Sequence, residues 1–211
     1  MTISSLRKEY NKATLSDFNL SSDPIDQFKK WFDDALVSKI TEPNAMSLAT
    51  VGGTGRPSLR IVLLKDYDKK GFTWYTNYNS KKGKELLINP FAAITFYWVE
   101  LERQVRIEGS VKKVLPIESD EYFNKRPLKS KLGAIASDQS SYIENRADLE
   151  KKFETISKPQ SKNPKRPKNW GGYRLIPDLF EFWQGRESRL HDRIQYSKKI
   201  NNVWLRERLQ P

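Results

Sequence analysis

The stretch AMSLATVGGTGRPSLRIVLL, residues 45–64, is where the fold can be read. Residues 45–51 make a short β-like run and Gly52-Gly53-Thr54-Gly55 supplies a turn. Residues 58–64 then return as a strand, with Ile61, Val62, Leu63 and Leu64 nearly continuous. The same grammar continues downstream. A turn is expected over 66–71, a strand over 72–76, and a pair of strands over 91–98 and 104–115, with a short helix over 81–89 ending before Pro90. The C-terminal part returns to strands at 173–176, 179–183, 194–196 and 203–209. Short strands at near-regular spacing, joined by turn residues, predict a barrel or sandwich.

Helices frame these strands. Asp23 as N-cap and Pro24 at the first helical position open one. Its Ile25, Phe28, Trp31, Phe32, Ala35 and Leu36 recur at three- and four-residue spacing and make one apolar face. Residues 116–137 and 141–157 also read as helical, 158–168 (KPQSKNPKRPK) as an exposed loop, and the polar residues 1–20 as a flexible arm. There is no internal repeat. Neither the early nor the late strands alone cover their apolar faces, so both sets are expected in one sheet. The prediction is one α+β domain over 21–211, built on an antiparallel β-barrel with peripheral helices.

Composition removes several classes of function. The 211 residues contain no Cys, which excludes a disulfide frame, a thiolate nucleophile and Cys-ligated metal, and the single histidine, His191, excludes a multi-His metal site. No apolar run approaches the ~20 residues that span a membrane, and residues 1–20 lack the apolar core of a secretory signal, so the cytoplasm is the expected location. Six Trp and 12% aromatic residues argue for a packed core. The formal charge is +12, and residues 161–211 hold 12 of the 38 basic side chains against 5 of the 26 acidic ones. That asymmetry suits an anionic partner, a nucleic acid or a phosphorylated small molecule, and equally a solvated surface.

Four clusters carry candidate chemistry. The densest, residues 182–193, holds Trp183, Arg186, Arg189, Leu190, His191 and Arg193. Arg offers a planar fork for phosphate or carboxylate, and His can donate, accept or move a proton near neutral pH. In an extended segment Arg189, His191 and Arg193 would point to one side; the plainer alternative is a basic edge strand paired with Glu187 and Asp192. In the second, Arg60 and Lys65 bracket four apolar residues and would face opposite sides unless the strand end re-aims one. In the third, Tyr75 and Thr76 run into Ser80, Lys81 and Lys82, a helix start able to cradle phosphate. In the fourth, Tyr122, Arg126 and Ser130 are spaced by four, although Pro127 forces a break or a new start; two hydroxyls and a guanidinium can hold a phosphate. Gln104, Gln139 and Ser140 add neutral donors suited to a heterocycle, or to solvent.

Together these clusters resemble the pyridoxamine 5′-phosphate oxidase family. The resemblance is carried by residues 180–185 and 188–193, by Trp170-Gly171-Gly172-Tyr173-Arg174, and by residues 60–65, 75–77, 101–105, 122–123, 126–127, 139–140 and 208–211, in order from about Asp23 to the end. It implies a split β-barrel homodimer with FMN at the subunit interface, and oxidation of pyridoxamine or pyridoxine 5′-phosphate by dioxygen to pyridoxal 5′-phosphate and hydrogen peroxide. It would assign FMN to Arg60, Ile61, Val62, Leu63, Leu64, Lys65, Tyr75, Thr76, Lys81, Lys82, Gln104, Gln139, Ser140, Trp183 and Arg193. The substrate would fall to Lys65, Tyr122, Arg126, Ser130, Arg189, Leu190 and His191, with Arg189 and His191 nearest the chemistry and Arg7 and Tyr10 of the arm folding over it.

Some positions depart from the family pattern. Lys81 stands where the family commonly has Arg, which keeps the charge and loses the fork; Asp138 stands where a basic residue is usual and is expected to face solvent. Ile135 replaces an aromatic residue and Gln210 a small one. Two rival classes frame the reading. A nucleic-acid binder would gather its cations in one stripe, whereas here they sit in separate motifs. A flavin-binding split barrel with another substrate, or none, would have no need of Tyr122, Arg126, Ser130, Arg189 and His191, and all five are present. Neither a nucleic-acid nor a membrane partner is expected.

Overall fold

Asp23 starts the first long helix as a true cap. Its carboxylate accepts hydrogen bonds from Ile25 N (2.7 Å) and Asp26 N (3.4 Å), and Pro24 has no N–H to leave unsatisfied. This helix, α1 (Pro24–Val37), buries Ile25, Phe28, Trp31 and Ala35, while Leu36, expected on the same face, is exposed. The structure, a computed structural model, describes residues 2–6, 9–158 and 163–211.

Nine antiparallel strands form one open sheet. They are β1 (Ala45–Val51), β2 (Pro57–Leu63), β3 (Asp66–Asp68), β4 (Gly71–Asn77), β5 (Phe91–Trp98), β6 (Arg103–Lys113), β7 (Trp170–Gln184), β8 (Asp192–Lys198) and β9 (Trp204–Leu209). The order is β2-β1-β5-β6-β7-β4-β3, with β8 also on β7 and β9 on β8. The expected α+β split barrel is therefore present, its early and late strands in one sheet. The expected turn over 66–71 contains a short strand, β3, before the chain reverses at Gly71 (φ +133°).

The long strand β7 corrects the expectation of two strands at 173–176 and 179–183. It runs unbroken past Pro177, pairing β6 from Tyr173 to Gln184 on one edge. On the other edge residues 170–175 pair β4 and residues 179–184 pair β8. The changeover falls where the β6 register shifts: Gly109 faces Pro177, Glu108 faces Leu179, and Asp178 is the extra residue of a bulge. Pro177 has no N–H for a ladder, which the register shift here tolerates, and a Cβ on Gly109 would come within 2.1 Å of Ile176 O, so position 109 requires glycine.

Helices close the ends of the sheet. Ser80 caps α2 (Lys81–Ile88) by accepting from Gly83 N (3.4 Å). The expected helix over 116–137 is two, α3 (Pro116–Lys125) and α4 (Leu128–Ala136), because Pro127 cannot continue a helix begun before it. The expected helix over 141–157 shortens to α5 (Arg146–Ser157), where Asn145 caps by accepting from Asp148 N (3.0 Å). Of the expected exposed loop, residues 159–162 lie outside the described residues. The remainder includes a buried Pro164 and an Arg166 bonded to both Asp120 and the Trp170 carbonyl. In the arm, Lys12 N donates to Glu102 (3.1 Å), Leu15 N donates to Asp192 (3.0 Å), and the Leu15 side chain is buried.

One sheet face is the core, with Leu48, Ile94, Phe96, Val105, Ile107, Phe180, Phe182 and Ile194 fully buried. Phe28 of α1 seals it against Phe72 (4.9 Å, edge-on), Tyr67 (5.0 Å) and Phe96 (5.1 Å). On the opposite face Leu59, Ile61 and Tyr97 are exposed. None of the described helices is long and apolar enough to cross a membrane. Because Phe28 is enclosed by aromatic rings that cannot collapse into its place, Phe28→Ala is expected to cost about 3–5 kcal/mol in urea denaturation at fixed protein concentration; a loss below 1 kcal/mol, a value typical of surface sites, would show that α1 is not part of the core.

Candidate active site

The strand path ends at β2 on one side and at β3, beside β4, on the other, and a candidate site lies along the seam between β2 and β4. Strand β2 pairs only β1, so its outer edge carries unpaired backbone N–H and C=O groups. After Leu63 the chain turns inward: Leu64 N donates to Asn44 O (2.8 Å), its side chain enters the core, and Lys65 N donates to Thr73 O (2.9 Å). That crossing from β2 toward β4 re-aims Lys65. Arg60 and Lys65, on opposite sides of a straight strand, therefore line the same cavity. It measures about 590 Å³, within the range of small-ligand sites. Arg60, Ile61, Val62, Leu63 and Lys65 form one wall, Tyr75, Thr76 and Lys82 a second, and Tyr122, Arg126, Pro127, Ser130, Gln139 and Trp170 the rest.

The cations in this cavity differ in how they are held. The Arg60 guanidinium donates to the carbonyls of Leu48 (3.1 Å) and Ser58 (3.2 Å) and to the Thr50 and Ser58 hydroxyls, and it pairs with Glu85 at 3.3 Å. Glu85 also accepts from Thr50 and Ser58 (2.6 Å). Burial raises its pKa, but these hydrogen bonds and the Arg60 charge outweigh burial and hold the carboxyl below its usual range. Arg60 is thus already satisfied. Lys82 is buried, and among the described residues its ammonium hydrogen-bonds the hydroxyls of Thr76 (3.3 Å) and Ser80 (3.5 Å). Burial, then the charge of Arg60, pushes its pKa down, against the pull of Glu85. A buried cation in that condition gains from an anion. Beside it, Gln139 Oε1 accepts from Thr76 (2.8 Å) and Asn77 N (3.3 Å), leaving the amide nitrogen as its donor end.

A second anion-ready group is aromatic. Tyr75 and Tyr122 stack at 3.9 Å and 11°. Burial, then the Glu118 charge, pushes the Tyr75 phenol up to about 12, so it stays protonated. The Arg126 guanidinium lies 4.7 Å from the Trp170 ring centre, and its Nη1 is buried with no hydrogen-bond partner among the described residues. Pro127 breaks the helix between Tyr122 and Ser130, yet all three residues of the predicted i, i+4, i+8 set face the cavity.

The other predicted residues gather elsewhere. Gln104 pairs Trp183 across β6 and β7, and Trp183 pairs Arg193 across β7 and β8, so the three stand in one row on the exposed face, with Tyr97 next to Gln104. Trp183 contacts His191 (4.7 Å), and Tyr10 of the arm packs edge-on against both (5.7 Å each). His191 Nδ1 accepts from Arg186 N (3.1 Å), which places the proton of the neutral ring on Nε2. Burial, then the Arg189 charge, lowers the His191 pKa. Arg189 does not continue a strand with His191 and Arg193 as expected. It sits in a 3-10 turn where Ser188 and Arg189 both have positive φ (+54° and +61°), and with Leu190 it is exposed. Arg193 forks onto Glu181 (2.9 and 3.0 Å).

Thus Arg60, Ile61, Val62, Leu63, Lys65, Tyr75, Thr76, Lys82, Tyr122, Arg126, Ser130 and Gln139 line one cavity. Leu64 is core, and Lys81 and Ser140 are exposed outside the lining. Asp138 is exposed, as expected, and pairs with Lys152 (3.1 Å). Arg7 lies outside the described residues. Trp170, named from sequence only within the motif at 170–174, and Glu85 were given no site role; for Glu85 the available signal was Thr50 and Ser58, polar residues on apolar strands. Trp170 and Trp183 are thirteen residues apart on the same strand, roughly 40 Å if extended, so one chain cannot bring the two clusters into contact along β7.

Comparison with known proteins follows this geometry. Residues 32–158 match the family profile described as pyridoxamine 5′-phosphate oxidase, and residues 170–211 match that of the pyridoxine 5′-phosphate oxidase C-terminal dimerisation region. A pyridoxine/pyridoxamine 5′-phosphate oxidase of Herminiimonas arsenicoxydans is 54% identical over 211 residues, covering 100% of both chains. One of Methylibium petroleiphilum is 54% identical over 209 residues, covering 99% of this chain and 98% of the other. Among solved structures, PhzG from Burkholderia lata 383, in complex with tetrahydrophenazine-1-carboxylic acid, superposes with a TM-score of 0.88 at 31% identity, covering 94% of this chain and 98% of that one. A pyridoxamine 5′-phosphate oxidase-related, FMN binding protein from Nostoc punctiforme shares the fold alone (TM-score 0.72, 17% identity, 92% and 99% covered). With both profiles matched in order and relatives similar from end to end, the chain belongs to the pyridoxamine 5′-phosphate oxidase family.

Proposed function

We propose that the protein oxidises pyridoxamine or pyridoxine 5′-phosphate to pyridoxal 5′-phosphate, with FMN as cofactor and dioxygen as the final acceptor, releasing hydrogen peroxide. The observation that carries this reading is one cavity with two separate anion-ready cations, Lys82 beside Thr76 and Ser80 and Arg126 on the Trp170 ring. Cofactor and substrate each bring a phosphate, and the cavity offers each its own grip.

The residues suit a flavin mononucleotide. Lys82 is a buried cation short of a counter-ion, Gln139 keeps an amide donor, and the unpaired edge of β2 over Ile61, Val62 and Leu63 offers backbone donors and acceptors to a flat heterocycle. Bound there, FMN would supply two-electron acceptance from a C–H bond and delivery of those electrons to dioxygen. The remaining work belongs to the chain. Lys65, Tyr122, Arg126 and Ser130 would hold the substrate phosphate, spending remote binding energy on the pose of the reacting carbon. Arg189 would orient the ring over the flavin, and His191 would donate from Nε2 to a ring substituent.

That assignment requires two copies of the chain. Arg189, His191, Trp183, Arg193 and Gln104 lie apart from the cavity, toward the face where Leu59, Ile61 and Tyr97 are exposed. A twofold mate covering that face would bury the apolar side chains and bring its Arg189 cluster to this cavity, and the resemblance of residues 170–211 to a dimerisation region supports it. Tyr10 would then cover the joined site from the arm.

Three outcomes are expected. FMN-reconstituted protein is yellow and releases one hydrogen peroxide per pyridoxal 5′-phosphate formed; no flavin binding ends the reading. Mixing inactive Arg126→Ala with inactive Arg189→Ala subunits, unfolded and refolded together, restores roughly a quarter of wild-type activity, because half of the dimers are mixed and each mixed dimer keeps one intact site. No recovery would place each site within one chain. Finally, His191 titrates below its ordinary 6.5, so at neutral pH its Nδ1 accepts from Arg186 N and Nε2 carries the proton; as pH falls through that lowered value Nδ1 is protonated, the bond from Arg186 N is lost, and the ring is no longer held in its orientation. An acid limb in kcat/KM is expected below pH 6.5 and should disappear in His191→Asn; a limb unchanged in the variant would belong to another group, such as the substrate phosphate.

A further inference from the structure

Arg126 is a half-buried cation without a carboxylate, and its Nη1 is fully buried. No ion pair joins it among the described residues, and its Nη1 has no partner. It is held by ring faces instead. The guanidinium carbon lies 4.7 Å from the Trp170 centroid and 5.9 Å from that of Phe123. The same indole is nearly parallel to Tyr122 (6.3 Å, 5°) and to Tyr75 (5.7 Å, 13°). An acidic partner would fix Arg126 equally well, but it would neutralise the charge and occupy the N–H fork. A ring face binds the guanidinium without occupying its N–H donors.

Trp170 is in turn fixed to the helix that carries Tyr122. Arg166 donates to Asp120 of α3 (2.6 Å) and to the Trp170 carbonyl (2.6 Å), so one guanidinium sets the distance between the start of β7 and α3. Trp170 N also donates to Pro167 O (3.1 Å).

We propose that Trp170 is a positioning residue for the substrate phosphate. Its indole presents the Arg126 fork and aligns Tyr122, Arg166 holds that platform at α3, and together they set the preference for phosphorylated over unphosphorylated pyridines. This inference rests on the oxidase reading for its substrate and on the geometry alone for its anion grip, so the two are tested separately.

The variants are Trp170→Leu, Trp170→Phe and Arg166→Gln, each checked for flavin content and thermal midpoint. Trp170→Leu should raise KM for pyridoxine 5′-phosphate roughly tenfold with kcat within about twofold, leave KM for unphosphorylated pyridoxine unchanged, and weaken equilibrium binding of pyridoxal 5′-phosphate by the same factor. Trp170→Phe keeps a ring face and should recover most of the loss. Arg166→Gln should give a smaller loss of the same kind, and it carries the test if Trp170→Leu does not fold. Equal KM increases for both substrates, or a fall confined to kcat, would overturn the proposal. Calorimetric titration with inorganic phosphate probes the grip apart from the reaction. Weaker phosphate binding in the folded variants upholds the role of Trp170 even if the protein oxidises no pyridine, whereas unchanged binding, or none to the wild type, overturns it.

Discussion

Everything in this protein depends on how one strand is bonded along its two edges. β7 gives one edge to β6 from Tyr173 to Gln184, and divides the other between β4 and β8 at Pro177 and Asp178. A break there would leave two short strands, both still paired to β6. With the backbone continuous, Phe180 and Phe182 join the same core as Phe72 and Trp74, and the seam falls between β2 and β4. The cavity and the Trp183–His191 cluster are consequently built on opposite ends of one rigid element. The same bonding that unifies the core keeps the two clusters apart within a chain.

The site also shows that charge alone does not mark function. Arg60 carries a full positive charge in the cavity, but three classes of acceptor, carbonyl, hydroxyl and carboxylate, already surround it. Arg193 is likewise forked onto Glu181, whose side chain also holds Arg106 at 3.0 Å. These arginines secure the ends of strands. Lys82 and Arg126 are different: each is desolvated, and neither is matched by a carboxylate within ion-pair distance among the described residues. Desolvation without compensation costs stability in the free protein, and a bound phosphate returns it. An overall charge of +12 is therefore a poor guide to the ligand, since most of it sits in satisfied pairs and at the surface.

The arm and the C-terminal strand are tied through one carboxylate. Asp192 accepts from Leu15 N, from Arg186 (3.1 Å) and from Arg208 (2.7 Å), and Arg208 donates to the Leu15 carbonyl (2.9 Å). These bonds, with the Arg186 charge, hold the Asp192 carboxyl below its usual range although burial opposes them. The turn bearing Arg189 and His191 lies between Arg186 and Asp192, so the arm that presents Tyr10 and the turn that presents His191 share an anchor.

Much of this was legible in the amino-acid order. The Asp23-Pro24 cap, the Ser80 cap, the strands at 45–51 and 91–98 and the apolar face of α1 follow from interactions within a few residues, which sequence spacing records directly. Tyr122, Arg126 and Ser130 were also legible as a set, although the helix that suggested their common face is broken at Pro127. Other features depend on partners far along the chain. The convergence of Arg60 and Lys65 needed the inward turn at Leu64, the continuity of β7 needed β6 to bridge Pro177, and the turn at Ser188 and Arg189 needed positive φ that no residue type there announces. Trp170 is the clearest case. In sequence it is one aromatic before two glycines, and only packing against α3, whose Asp120 lies 50 residues earlier in the chain, turns its ring into a seat for a cation. Local bonding and periodicity were written in the chain; convergence was decided by tertiary contact, because the energy of a buried cation or a stacked ring depends on neighbours that sequence spacing does not encode.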